Sequence, residues 1–179
     1  MLHSEDFHVL NHEGGELLDN EFLKAYDLYY DAIYRYIYAK VGSKWDAEDI
    51  VGEVFRKAFE HFESIRSHRK AWLFTIARNS INDFYRRSKF TTVELKDEFY
   101  ADSPSFEDEL LKYDEFDCLK RSLVHLNDEE LDLIAMRYFS DLRYEEIARV
   151  KGKQSDYLRV KASRTIKKIG IMVKKCLEG

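Results

Sequence analysis

Proline occurs once in these 179 residues, at Pro104, and glycine only seven times. With the two strongest helix breakers nearly missing, long stretches are left free to run as helix. Cysteine is almost as scarce. Cys118 and Cys176 lie far apart and match no metal-binding or redox spacing, so two free thiols in a reducing compartment are expected, and no disulfide framework. No apolar run approaches the length of a bilayer span. The first residues, MLHSEDFHVLNHEGGE, are polar and acidic, unlike a signal peptide. Together these features predict a cytoplasmic protein with no membrane insertion.

The residues of catalysis are equally sparse. A di-metal site in a helical bundle calls for paired Glu-x-x-His motifs. Only Glu5-x-x-His8 fits, and together with His3 and His12 it lies in the polar N-terminal stretch, where a solvated tail is the simpler reading. No nucleophile stands near a base and no glycine loop could cradle a phosphate. Neither an enzyme nor a bound metal or cofactor is expected.

What is present is helical periodicity and aromatic bulk, with twelve Tyr and twelve Phe to be placed in cores or on contact surfaces. Phe22, Ala25, Tyr26, Tyr29, Ile33, Tyr36 and Ile37 recur at three- and four-residue steps and share one face. Gly42-Ser43 stops that helix. Asp46 then serves as a cap or first-turn acid for a second, with Ile50, Val54, Ala58 and Phe62 inward. A polar turn at 64–69 leads into KAWLFTIARNSINDFYRRSK. Residues 90–111 break the periodicity and hold the proline, as a linker does. Beyond it come a helix through Phe116, Leu119, Leu123 and Leu126, and another, capped by Asn127 or Asp128, carrying Leu131, Ile134, Ala135 and Tyr138. A short helix at 144–148, a turn at 151–154 and a long basic helix from Ser155 follow. The expectation is all-α: a polar extension (1–19), one small helical domain (20–89), an acidic linker (90–111) and a second small helical domain (112–179).

Charge is unevenly spread around a net of −5. Between Arg66 and Lys89 seven Lys/Arg face one acid. From Glu94 to Asp117 ten acids face two lysines, and from Arg149 to Lys175 ten Lys/Arg face one acid. One basic block could be a solvated helix face. Two, each on a patterned helix, point to a polyanion partner.

In the first block Leu73, Ile76, Ala77, Ser80 and Phe84 point inward, while Thr75, Arg78, Asn79, Asn82 and Arg86 point out. Trp72, Phe74 and Tyr85 sit on the flanks. Exposed Arg and Asn beside aromatic rings suit unpaired bases, since rings stack, guanidinium groups neutralise phosphate and amides read base edges. Trp72 is either core or a wedge at the fork. The second block has the outline of a helix-turn-helix. Leu158, Ala162, Thr165 and Ile169 form its packing face. Gln154, Ser155 as an N-cap, Tyr157, Val160, Lys161, Arg164, Lys167 and Lys168 are its candidate DNA-facing residues.

With both blocks in hand, the chain resembles the extracytoplasmic-function (ECF) branch of the bacterial sigma-70 family of RNA polymerase sigma factors. The resemblance rests on DAEDIVGEVF (46–55), AWLFTIARN (71–79) and YEEIA (144–148), in that order and spacing, and covers residues 20–89 and 112–172. It implies sigma domain 2, a linker and a helix-turn-helix sigma domain 4. It further implies that Asp46, Glu48, Asp49, Glu53, Arg56 and Lys57 grip the polymerase β′ clamp helices. Arg66, Ser67, His68 and Arg69 would capture a flipped base of the minus-10 element. Trp72, Arg78, Asn79, Asn82, Arg86 and Arg87 would melt and hold that element, and the last helix would read the minus-35 element as duplex. The implied partners are core RNA polymerase, through the β′ clamp helices and β flap, promoter DNA and an anti-sigma factor. Two departures stand out. The family commonly has glutamine at Gly52, and the run KQSDYLRVK (153–161) replaces a Gly-Thr-Val-Lys-Ser-Arg-like stretch. The alternative, a helix-turn-helix regulator acting without polymerase, explains the C-terminal half and leaves Asp46–Arg87 without a task.

Overall fold

The structure, a computed structural model, describes residues 13–65, 67–88 and 109–178. Arg66, the histidines of the N-terminal stretch and linker positions 90–108 lie outside the described residues. Helix α1 (Glu13–Val41) begins inside the stretch expected as an extension. Its predicted face is the buried one: Phe22, Ala25, Ile33, Tyr36 and Ile37 are buried and Tyr26 and Tyr29 pack beside them. Gly42 ends the helix with φ 77°, a left-handed conformation that costs glycine nothing. Ser43 follows as the N-cap of α2 (Lys44–His61), its side chain accepting the Asp46 amide at 3.3 Å, and Asp46 is the first-turn acid that complements the helix dipole. A 3-10 turn (Phe62–Ser64) leads to α3 (Arg69–Ser88). Phe22 is set edge-on against Phe55, Phe59 and Phe62, which locks the start of α1 onto α2.

The second half comprises α4 (Glu109–Val124), α5 (Asp128–Ile134), α6 (Tyr144–Lys151) and α7 (Ser155–Leu177). Asn127 caps α5 in a full capping box with Glu130. Gly152, at φ 62°, closes α6 and makes the turn into α7. Among the described residues there is no strand.

Four expectations are corrected here. Ser155 is not the cap of α7: Gln154 holds that position, with no side-chain bond to the helix, and Ser155 is the first helical residue. Tyr138 is not on the core face. Residues Ala135–Phe139 form a π-helical turn, whose extra residue shifts the phase, so Ala135 and Met136 are buried while Tyr138 is 50% exposed. Phe116 is 55% exposed on α4 rather than packed. The two cysteines are not free thiols. The packing of α4 on α7 brings Cys118 and Cys176 to a Cα–Cα distance of 5.7 Å, and they are joined by a disulfide.

The halves do not keep separate interiors. One continuous cluster runs from Ile33, Tyr36 and Phe74 to Leu133, Met136, Leu142, Ile147 and Leu158. A smaller one, with Leu126, Ile134 and Ile169 at its centre, joins α4 to α7.

Candidate nucleic-acid and polymerase interfaces

Helix α3 is split as its pattern predicts except at two positions: Phe74 is fully buried rather than flanking, and Arg78, expected to point out, is half-buried with its guanidinium 3.4 Å from the Asp132 carboxylate. Leu73, Ala77 and Ser80 are buried, Ile76 and Phe84 partly so, and Asn79, Asn82 and Arg86 are exposed on the far side. Trp72 is half-buried and packs against the core. Ser67 and His68 are exposed in the turn before α3, with His68 at φ 57°, an uncommon conformation for a side chain of that size. Arg69, expected among the DNA-facing residues, is committed within the fold. Its guanidinium lies 4.4 Å from the Phe62 ring centroid, donates to the Ile65 carbonyl at 3.0 Å and pairs with Glu21 at 2.8 Å. Arg86 pairs with Asp83 at 3.0 Å, and Arg87 with Glu53 at 3.2 Å.

Asp46 sits in the first turn of α2 with its amide held by the Ser43 cap, and the other α2 candidates fall into three places. Asp49 and Arg56 are exposed on one face, Arg56 paired with Glu60 at 2.6 Å. Glu53 and Lys57 sit at the seam with α3: they pair with each other at 2.6 Å, and Lys57 also donates to the buried Ser80 hydroxyl at 3.2 Å. The Lys57 ammonium and the Arg87 guanidinium hold the Glu53 carboxyl below its ordinary range, against a smaller opposing effect of burial. Glu48 lies on the α1 side, close enough to Tyr30 and Tyr34 for its charge to add to the burial that pushes both hydroxyl pKa values up. One residue was missed. Trp45 is 76% exposed and lies one turn before Asp49 in the same row as Arg56. The four-residue spacing was visible in the sequence.

On α7 the packing face is as expected: Leu158, Ala162, Thr165 and Ile169 are buried. Tyr157, Val160, Arg164 and Lys167 are exposed in a row, with Gln154 exposed at the start. Lys161 and Lys168 are not part of that row. They bond to Glu129 and Glu130 of α5 and pin α7 to that helix. The Lys168 ammonium, with the Asn127 amide behind it, holds the Glu130 carboxyl below its ordinary range, and the Lys161 ammonium does the same to Glu129. Arg159, not singled out from the sequence, is exposed beside Tyr144 at 5.6 Å and pairs with Glu145 and Asp156.

Among the described residues no cluster of His, Cys, Asp and Glu could hold a metal ion, and no helix is long and apolar enough to cross a membrane. Residues 25–91 match the family model for Sigma-70 region 2. The chain is 30% identical to RNA polymerase sigma factor SigV of Bacillus subtilis over 144 residues, covering 79% of this chain and 84% of that one. It belongs to the sigma-70 family. Within that family it sits in the ECF branch. It is 33% identical over 153 residues to the ECF sigma factor BldN of Streptomyces coelicolor, covering 82% of this chain and spanning 58% of the length of BldN. It is also 30% identical over 135 residues to sigma factor YlaC of Bacillus subtilis, with 71% and 77% covered. Two solved structures have the same fold. RpoE of Bartonella quintana, in complex with the anti-sigma factor NepR, gives a TM-score of 0.68 at 24% identity, with 86% of this chain and 97% of that one covered. CnrH, in complex with the cytosolic domain of CnrY, gives 0.65 at 17%, with 88% and 90% covered.

Proposed function

We propose that this chain is a promoter-specificity subunit that binds core RNA polymerase, holds the minus-10 strand on α3 and reads the minus-35 duplex with α7. The observation that carries the reading is a pair of outward faces on one chain. Asn79, Asn82 and Arg86 on α3 combine amides with cationic charge, and Tyr157, Val160, Arg164 and Lys167 on α7 combine apolar contact with phosphate neutralisers. The exposed row Trp45, Asp49 and Arg56 on α2 is the surface for the polymerase clamp helices. Ser67 and His68 border the minus-10 face, while Arg69, Lys161 and Lys168 support the two faces from inside. Strand opening on this scheme needs no covalent chemistry from the chain: unstacking costs a few kcal/mol per step, which stacking and phosphate contacts offset. The setting is cytoplasmic, where polymerase and promoter DNA are found. An anti-sigma factor is a further expected partner, since the similar RpoE structure is solved in complex with one.

The test is to add the purified chain to core polymerase and sequence the transcripts made from a random promoter library. Initiation from a shared two-part motif is expected, and initiation indistinguishable from core alone rejects the reading. Replacing Asn79 and Arg86 together by alanine should lower open-complex formation about tenfold or more, because such contacts are each worth about 1–3 kcal/mol, with polymerase binding retained. Loss of polymerase binding by that folded variant would refute the assignment of the face. Tight, sequence-specific duplex binding with no association to core polymerase would instead favour the regulator alternative.

A further inference from the structure

The Cys118–Cys176 bond takes no part in either proposed DNA-binding face. It joins α4 to the last turn of α7, so α5, α6 and nearly all of α7 lie inside one covalent ring of the chain. Its two ends differ. Cys118 is buried, whereas Cys176 is only partly so, and a thiol arriving from solvent meets the Cys176 sulfur first. Apart from the bond, α4 rests on a small apolar cluster. In it Leu119 and Leu123 meet Ile134 of α5 and Ile169, Met172 and Val173 of α7. A helix takes most of its stability from the face it packs, and here that face is short. The same cluster backs the seat of α7, because Ile169 follows Lys168, which bonds Glu130 of α5. The promoter reading sets the chain in a compartment where thiols are kept reduced, and disulfides found there are usually transient and redox-sensing.

We propose that Cys118 and Cys176 form a reversible redox site: the bonded state seats α7 for duplex reading, and the dithiol state loosens it. The inference rests on the reading of α7 given above. Peroxide is the oxidant. The Cys176 thiolate attacks one peroxide oxygen, the O–O bond breaks, and the departing hydroxide takes a proton to become water. The Cys118 thiol then displaces hydroxide from the resulting sulfenic acid, and a second water leaves as the S–S bond forms. A low-molecular-weight thiol such as glutathione reverses the step. Its thiolate attacks the Cys176 sulfur, and Cys118 departs as a thiolate that takes a proton. A second glutathione attacks the glutathione sulfur of the mixed disulfide, which frees Cys176 and leaves glutathione disulfide. The bonded state holds α4 down, keeps Ile134 and Ile169 covered and steadies the Glu130–Lys168 pin. In the dithiol state α4 lifts more often, water reaches Ile169 and the pin weakens. Tyr157, Val160, Arg164 and Lys167 stand towards the other end of α7, so the sulfurs act on reading through the seat of the helix and not by contact.

The test uses the full chain. It is equilibrated in glutathione buffers running from oxidised to reduced, free thiols are trapped with a high-mass maleimide, and the bonded fraction is read on a gel. The bond is expected to open within the series and to re-form when hydrogen peroxide is added to the reduced chain. A bond that stays closed in the most reducing buffer, or a dithiol that peroxide fails to close, overturns the redox site. Amide exchange is then compared between the two states, and residues 158–169 should exchange about tenfold faster in the dithiol chain. Equal rates there overturn the coupling to α7. Neither measurement needs polymerase or a promoter. With core polymerase and a promoter selected from the random library, initiation should fall about fivefold on reduction of the parent chain. Cys118→Ser with Cys176→Ser should hold the lower level in both buffers, which separates the effect from any response of polymerase itself. Equal initiation by the bonded and dithiol parent chains overturns the link to reading. Absence of initiation in both states counts against the promoter reading alone, and the redox site is then decided by the thiol titration and the exchange rates.

Discussion

Gly52 stands mid-way along α2, where the family commonly has glutamine, and nothing lies within 4 Å of where its Cβ would be. With open space and helical backbone, Gly52→Ala should raise stability by about 0.5–1 kcal/mol, read as a higher urea midpoint at unchanged slope. Gly152 is the opposite case. It too has open space, but its φ of 62° belongs to a conformation that L residues adopt at a cost, so Gly152→Ala should lower stability by about 1 kcal/mol in the same measurement. Tyr36 shows what a sequence hides at this scale. Its place on the inward face of α1 follows from periodicity, but its phenol partner, Asp132, lies 96 residues away. Burial, then the Asp132 carboxylate, push the Tyr36 hydroxyl well above its ordinary value of 10.0. The raised value means that its contribution is complete below pH 10 and is lost only as pH rises through the folded value.

Among the elements, α7 shows where legibility ends. Its buried face followed from the spacing of Leu158, Ala162, Thr165 and Ile169, and Gly152 marked the turn before it. The division of its lysines did not follow. On a helical wheel Lys161 and Lys168 look like Arg164 and Lys167, and only the position of α5 reveals that the first two are pins. The phase slip at Ala135–Phe139 was hidden for a related reason: π geometry is selected by packing, and α-helical counting carried Tyr138 inward. The cysteines give a third instance, because a separation of 58 residues matches no motif and only the pairing of α4 with α7 joins them. Closing a loop of that length is worth about 2–4 kcal/mol through the unfolded state. Reduction, or Cys118→Ser with Cys176→Ser, should therefore lower the urea-derived stability by about that much, with α4 losing amide-exchange protection first. Equal stability with and without reductant would show that the bond does not constrain α4 in solution.

Taken as a whole, the molecule carries a net charge of −5, yet its acids at the helix seams are spent on specific cations. Glu53 is matched by Lys57 and Arg87 between α2 and α3. Glu129 and Glu130 are matched by Lys161 and Lys168 between α5 and α7. All three carboxyls are held below the ordinary value of 4.5, which fixes the sign of the acid response. Between the depressed folded values and 4.5 the unfolded chain binds more protons, so stability rises with pH across that window. The contribution is full above 4.5 and is lost as pH falls through the folded values. A thermal midpoint measured from pH 7 downward should stay nearly level to about pH 5 and then drop. Glu130→Gln isolates the cause, because glutamine at the third position of a helix still completes the capping box but cannot pair with Lys168. That variant should start with a lower midpoint at pH 7 and fall less steeply below pH 4.5. Curves that run parallel for parent and variant would mean that acid sensitivity comes from carboxyls elsewhere and that the α5–α7 pins add little to the fold.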